Sequence, residues 1–223
     1  MIVLINLLAY FIRNRILSKI FLFLMIISFG VLADNDYLKI EASHLVEENG
    51  NSFTVNQYGS AVRWNDDYIV TAKHLDFVQG SKYKCSENCD LQFVKYKGKS
   101  LTPKWRERVP YEDITIVGNS PGSKTIISKG QDLNLKYYVS NTKIESVPYK
   151  KEQVNALVYA SNAKVIQGQS GGPVFGNNGN VIGMVIGNTI LTSAKTGQEF
   201  EVSLYIPYSV IEKEWLKFQK RIK

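Results

Sequence analysis

After residue 50 the chain is a succession of short β-branched or aromatic runs, and this rhythm restricts its fold more than any other feature. Phe53-Thr54-Val55, Gly59 to Trp64, Tyr68 to Thr71, Leu91 to Val94, Ile114 to Val117 and Lys136 to Val139 each have the length and residue types of a strand. Turn-forming residues separate them: Asn65-Asp66-Asp67, Lys97-Gly98, Asn119-Ser120-Pro121-Gly122 and Gly176 to Asn180. A βαβ architecture needs helical segments between strands, and none is present. The pattern therefore predicts an all-β sandwich or barrel. One helix is expected, at the end. Ile211, Trp215, Phe218 and Ile222 recur at helical spacing over about 209–221, Ser209 stands at an N-cap position, and lysines crowd the last turn. A single short apolar stripe suits docking on the β structure better than lying on a membrane.

The N-terminus is a separate object. Ile20 to Ala33 is apolar and uncharged, Arg13, Arg15 and Lys19 precede it, and the acidic, polar start Asp34-Asn35-Asp36 follows. That order predicts a secretory signal over 1–33, cleaved after Ala33. An uncleaved anchor is the alternative and would be the only membrane contact, although the run is shorter than the ~20 residues of a full span. The formal charge of +7 falls to +4 without those three basic residues. The remaining lysines are scattered and not interleaved with aromatic residues, so no nucleic-acid partner is expected.

Export bears on the two cysteines, Cys85 and Cys89. A lone close pair in an oxidising compartment predicts a disulfide. A zinc site would need more ligands, and the only histidines are His44 and His74. Neither a metal nor a cofactor is expected.

Three segments carry candidate chemistry. In Gly168-Gln169-Ser170-Gly171-Gly172-Pro173-Val174 a serine sits in a glycine-rich turn. Serine needs a base to take its proton and backbone N–H groups to hold the developing oxyanion. Glycines permit such a turn, here with the N–H groups of Gly168 and Ser170 as the donors. A plain hairpin turn is the competing reading. A phosphate loop lacks its Lys-Ser/Thr ending and following helix. In Tyr68 to His74 a strand ends in a small-residue turn carrying a histidine. His44 lies in an acidic, loop-like stretch, which leaves His74 as the candidate base. In Tyr111-Glu112-Asp113-Ile114 an acid precedes an apolar strand, where a carboxylate can orient a histidine ring. If Ile114 and Ile116 share a face, Glu112 and Asp113 point oppositely, and alternation alone leaves open which is inward.

Together these segments resemble the trypsin-like serine peptidases. Val70-Thr71-Ala72-Lys73-His74 is similar to their Thr-Ala-Ala-His, Asp113-Ile114 to their Asp-Ile-Ala, and Gly168 to Pro173 to their Gly-Asp-Ser-Gly-Gly-Pro. The order His, Asp, Ser is that of this clan, opposed to the order in α/β-hydrolases. The resemblance covers roughly residues 55–210. It implies two six-stranded antiparallel β-barrels of the chymotrypsin/trypsin-like fold, spanning 34–125 and 126–223. It implies a triad of Ser170, His74 and Asp113 and a peptide or protein substrate. The chain resembles the bacterial branch, which includes staphylococcal glutamyl and HtrA-type enzymes: Gly59 to Val62, Asn65 to Val70 and Val181 to Gly187 resemble HtrA segments, and Tyr205 to Pro207 the strand that leads into their last helix. No stretch after the helix would carry the PDZ domain of HtrA proteins. Gln169 stands where zymogen-activated trypsins carry an acid, which implies no such activation. Val185 stands where the glutamyl enzymes place a histidine.

For the substrate, Lys164-Val165-Ile166-Gln167 is expected to line the primary pocket opposite Ile186-Gly187-Asn188. The latter segment can pair with an extended peptide as an added strand. Lys164 is expected to point to solvent. The second functional reading is a catalytically silent protein of the same fold that binds peptides or an envelope partner.

Overall fold

The computed structural model describes residues 39–40, 42–48, 57–85, 89–98, 101–120, 124–140, 143–145, 157–193 and 196–222. The chain divides into residues 1–38 and a compact unit, Lys39–Lys223. The expected signal over 1–33 and the expected strand at Phe53 lie outside the described residues.

The short runs pair into two antiparallel sheets. The first contains β1 (Ser43–Glu48), β2 (Gln57–Arg63), β3 (Tyr68–Thr71), β4 (Ser81–Lys84) and β5 (Gln92–Lys95), in the order β1-β2-β3-β5-β4. The second contains β6 (Asp113–Ser120), β7 (Lys124–Ser140), β8 (Lys143–Glu145), β9 (Leu157–Ser161), β10 (Pro173–Phe175), β11 (Val181–Thr192) and β12 (Glu199–Pro207). Its order is β6-β10-β11-β12-β9-β7-β8, and β6 also pairs with β7. That extra pairing closes six strands into a ring and leaves β8 outside it. Two antiparallel sheets and one C-terminal helix agree with the expected fold.

Several details differ from the sequence expectation. β6 hydrogen-bonds to β7 and β10, so the sheets divide between residues 95 and 113 and not at 125. Residues 43–48, read as loop-like because they are acidic, form β1, with His44 opposite Ala61 of β2. Pairing along a neighbour overrides weak local propensity. β4 (SKYK) escaped notice for the same reason.

The ring strands are buried on both faces. Ile114, Ile116, Val174, Ile182, Val185 and Tyr205 form one apolar cluster. The alternate residues Val117, Phe175, Val181, Met184, Leu204 and Ile206 join a second, shared with Val62, Val70, Leu91 and Phe93 of the first sheet. Burial on both sides explains why Val181 to Val185 reads as an unbroken apolar run.

The helix α1 (Tyr208–Arg221) covers the second cluster with Ile211 and Phe218. Phe218 stacks on Phe93 and Trp215 meets the same ring edge-on. The helix begins one residue earlier than expected. Pro207 occupies the N-cap position without a side-chain cap, because β12 runs directly into the helix, so Ser209 lies exposed in the first turn. Ile222 is exposed beyond the last turn, not part of the buried stripe.

Candidate active site

His74 leaves the end of β3 on a turn. β5 is the antiparallel neighbour of β3, with Thr71 opposite Gln92. Residues just past the end of β3 therefore lie beside residues just before the start of β5. His74 and Asp90 are such a pair. His74 Nδ1 lies 2.6 Å from Asp90 Oδ2, and the His74 backbone N–H donates to Asp90 Oδ1 at 2.8 Å. An ionised carboxylate only accepts, so Nδ1 carries the proton and Nε2 is left as the basic atom. The hydrogen bond His74 donates to Asp90 raises the histidine pKa above its ordinary value; burial opposes this, and the charges of Asp90 and Asp76 add to it.

Asp113 does not meet His74. It begins β6, which is not a neighbour of β3, and its side chain is exposed. Glu112 is the inward residue, on the side of Ile114 and Ile116. It receives hydrogen bonds from Val109 N–H at 2.6 Å and Asn177 N–H at 3.1 Å, and pairs with Arg106. Burial works against its ionisation, yet Arg106 and the two N–H groups hold its pKa below the usual carboxylate value. The expected arrangement, with Asp113 on the histidine and Glu112 in solvent, is thus reversed for Glu112 and moved to Asp90 for the histidine. A signal for Asp90 does exist in the sequence: Asp90-Leu91 is, like Asp113-Ile114, an acid followed by an apolar strand. Choosing between them requires knowing that β5, and not β6, lies beside β3.

The disulfide Cys85–Cys89 sits directly before Asp90, with a Cα–Cα distance of 5.7 Å. Cys85 N–H donates to Leu91 O at 3.1 Å, and Leu91 N–H donates to Cys85 Sγ at 3.2 Å. Asp90 is therefore held between two residues that are both tied to Cys85.

Ser170 lies in the turn before β10. Gly168 has φ +98° and Gly171 has φ +85°, a region that favours glycine. Gln169 N–H donates to Ile166 O, Gly171 N–H to Val185 O and Gly172 N–H to Gln169 O. The N–H groups of Gly168 and Ser170 donate to no partner among the described residues. These are the two expected from the sequence as oxyanion donors. Ser170 Oγ donates to Ile186 O at 3.3 Å.

The histidine turn and the serine turn are packed together. A Cβ on Gly171 would collide with Ser60 O and Thr71 Oγ1 and sit 3.1 Å from Ala72 N. A Cβ on Gly59 would meet both Leu75 and, at 3.2 Å, Ser170 O. Gln169 is fully buried. Its side-chain oxygen accepts from Ile166 N–H at 3.0 Å and Ser128 Oγ at 3.1 Å.

Of the expected pocket residues, Val165 is buried, whereas Lys164, Ile166 and Gln167 are exposed. Ile186 and Gly187 are half-buried at a bulge in β11, and Asn188 Nδ2 donates to Glu201 Oε1 at 2.6 Å. His44 stands against the Tyr96 ring, and burial, with Arg63 nearby, lowers its pKa to about 4. No group of three metal-ligating side chains converges among the described residues.

The family model described as "Trypsin-like peptidase domain" matches residues 30–184. The solved structure of the Rv3671c protease from M. tuberculosis, active form, is similar with a TM-score of 0.60 and 15% identity, covering 82% of this chain and 83% of that one. Its inactive form aligns with a TM-score of 0.57 at 15% identity, over 83% of this chain and 92% of that one. The HtrA-type protease AlgW, solved with a tripeptide, aligns with a TM-score of 0.57 at 17% identity, over 81% of this chain and 61% of that one. No curated protein sequence matches.

Proposed function

The chain belongs to the trypsin-like peptidase domain family and is a serine-type endopeptidase, and we propose that it works through Ser170, His74 and Asp90. The observation that carries this assignment is the two-point contact of Asp90 with the ring and the backbone of His74. In this reading His74 Nε2 takes the Ser170 proton as Oγ attacks the scissile carbonyl. Asp90 keeps the proton on Nδ1 and stabilises the imidazolium that forms. The tetrahedral oxyanion is held by the N–H groups of Gly168 and Ser170, which have no other partner among the described residues. Protonated His74 then gives its proton to the leaving amine, and water repeats the sequence on the acyl-enzyme.

The substrate is a peptide or protein chain. We place its segment along Ile186-Gly187-Asn188, as an added strand. A substrate N–H bonded to Ile186 O would displace Ser170 Oγ from that carbonyl and free it for His74. Export through residues 1–33 belongs to the same proposal and is supported by their charge and hydropathy pattern and by the Cys85–Cys89 disulfide. Among the described residues no helix is long and apolar enough to cross a membrane.

The test is labelling with an active-site-directed fluorophosphonate. The wild-type protein is expected to label and Ser170→Ala to remain unlabelled. Equal labelling of both would remove Ser170 as nucleophile, and an inert wild-type protein would favour the silent, peptide-binding reading.

A further inference from the structure

Gly168 and Ser170, whose N–H groups have no partner among the described residues, both have their carbonyls bonded to one residue of the other sheet. Ser60 Oγ donates to Gly168 O at 2.7 Å, and Ser60 N–H donates to Ser170 O at 2.7 Å. Ser60 lies on β2 and is completely buried. Its remaining valences are also used. Asn119 N–H donates to Ser60 Oγ at 2.8 Å, and Thr71 Oγ1 donates to Ser60 O at 2.6 Å. Thr71 is three residues before His74, on the same strand and turn.

We propose that Ser60 is a positioning residue for the oxyanion hole. The proposal rests on the peptidase reading above and extends it to a residue of the first sheet. Each peptide unit is planar, so fixing a carbonyl fixes the plane that follows its residue, and with it the ψ that relates that plane to the residue's own N–H. At both Gly168 and Ser170 that carbonyl is bonded to Ser60. Gly168 is the residue that most needs such restraint, because glycine has little torsional preference of its own. Ser60 Oγ holds that carbonyl while accepting from Asn119, so its proton has one direction to take. Ser60 does not touch substrate. It acts by keeping two donors aimed before the oxyanion exists, which is the condition under which such donors lower a barrier.

The test compares Ser60→Ala, Ser60→Cys and Ser60→Thr in the whole protein, with sites counted by fluorophosphonate titration. Ser60→Ala is expected to lower kcat per titrated site by about 10- to 100-fold, less than outright loss of a donor, and to leave KM near its wild-type value. It is expected to weaken a peptide boronate, which forms a tetrahedral adduct, by a similar factor, and to leave binding of a cleaved product peptide unchanged. Ser60→Thr, which retains the hydroxyl, is expected to restore much of the loss. Should Ser60→Ala not fold, Ser60→Cys, nearly isosteric with a weaker donor, carries the same comparison. A lower melting temperature with unchanged kcat per site and unchanged boronate affinity would overturn the proposal and leave Ser60 a packing residue. A wild-type protein that never labels would instead overturn the peptidase reading, and the role of Ser60 with it.

Discussion

At the scale of single residues, the proposed mechanism turns on the contact between His74 and Asp90. Replacing Asp90 by Asn keeps the shape but turns an acceptor into a group that can stabilise the wrong histidine tautomer. kcat is expected to fall by roughly 10³–10⁴-fold. Asp113→Asn, at an exposed strand end, is expected to stay within about twofold of wild type, in keeping with the small effects of surface changes. Steady-state kinetics on the two variants separates them, and a damaged Asp113 variant beside a healthy Asp90 variant would reverse the assignment. The pH profile adds a sign. A general base works in its neutral form, and Asp90 raises the His74 pKa above the ordinary value. Activity is therefore lost as pH falls through that raised value, and the acid limb of kcat/KM should move to lower pH in Asp90→Asn. Alternation along 112–116 was legible and correct, since Glu112 shares the buried parity of Ile114 and Ile116. A carboxylate at a strand mouth reads the same whether a histidine or an arginine awaits it, so the partners stayed hidden.

At the scale of elements, the β4–β5 connection holds Asp90, the proposed triad acid, in place. Cys85 is bonded covalently to Cys89 and by two hydrogen bonds to Leu91, on either side of Asp90. The double variant Cys85→Ala/Cys89→Ala should still fold, because so small a loop contributes at most ~2–3 kcal/mol in the chain-entropy model. Its kcat should drop less than that of Asp90→Asn, since the carboxylate remains but is held less tightly. Denaturant melts and kinetics on the same preparation test both halves, and loss of folding would contradict the first. The pairing of the cysteines was readable from their isolation and from the export pattern. Their bearing on Asp90 depends on the β3–β5 register.

At the scale of the whole molecule, the two sheets are joined by a stapled connector. Trp105 Nε1 donates to Arg63 O at 3.2 Å on the first sheet, while Arg106 N–H donates to Val181 O at 2.9 Å on the second. Arg108 then reaches buried Asp132 at 3.0 Å, which also accepts from Tyr205 Oη and from Asn134 N–H. Arg108 lies over the Tyr159 ring at 3.6 Å. Asp132→Ala would leave that buried guanidinium unpaired, at a cost of about 3–5 kcal/mol. This is a large part of the ~5–15 kcal/mol that holds a domain together. Equilibrium urea unfolding measures it, and a loss under about 1 kcal/mol would show the network to be dispensable.

The sequence by itself determined the fold class and marked out the glycine-rich turn of Ser170 and the turn that carries His74. Each is written locally, in strand-length apolar runs, glycines at positive φ and a small-residue turn after a strand. It did not determine β1 or β4, whose polar strands form because a neighbour offers them a ladder. Nor did it determine which acid serves His74. Two candidates precede apolar strands, and only strand order distinguishes them. β5 pairs with β3 and β6 does not, so the carboxylate 16 residues from His74 reaches the ring and the one 39 residues away does not. Strand order is a non-local quantity, set by how whole sheets bury their apolar faces, and no short window of sequence contains it.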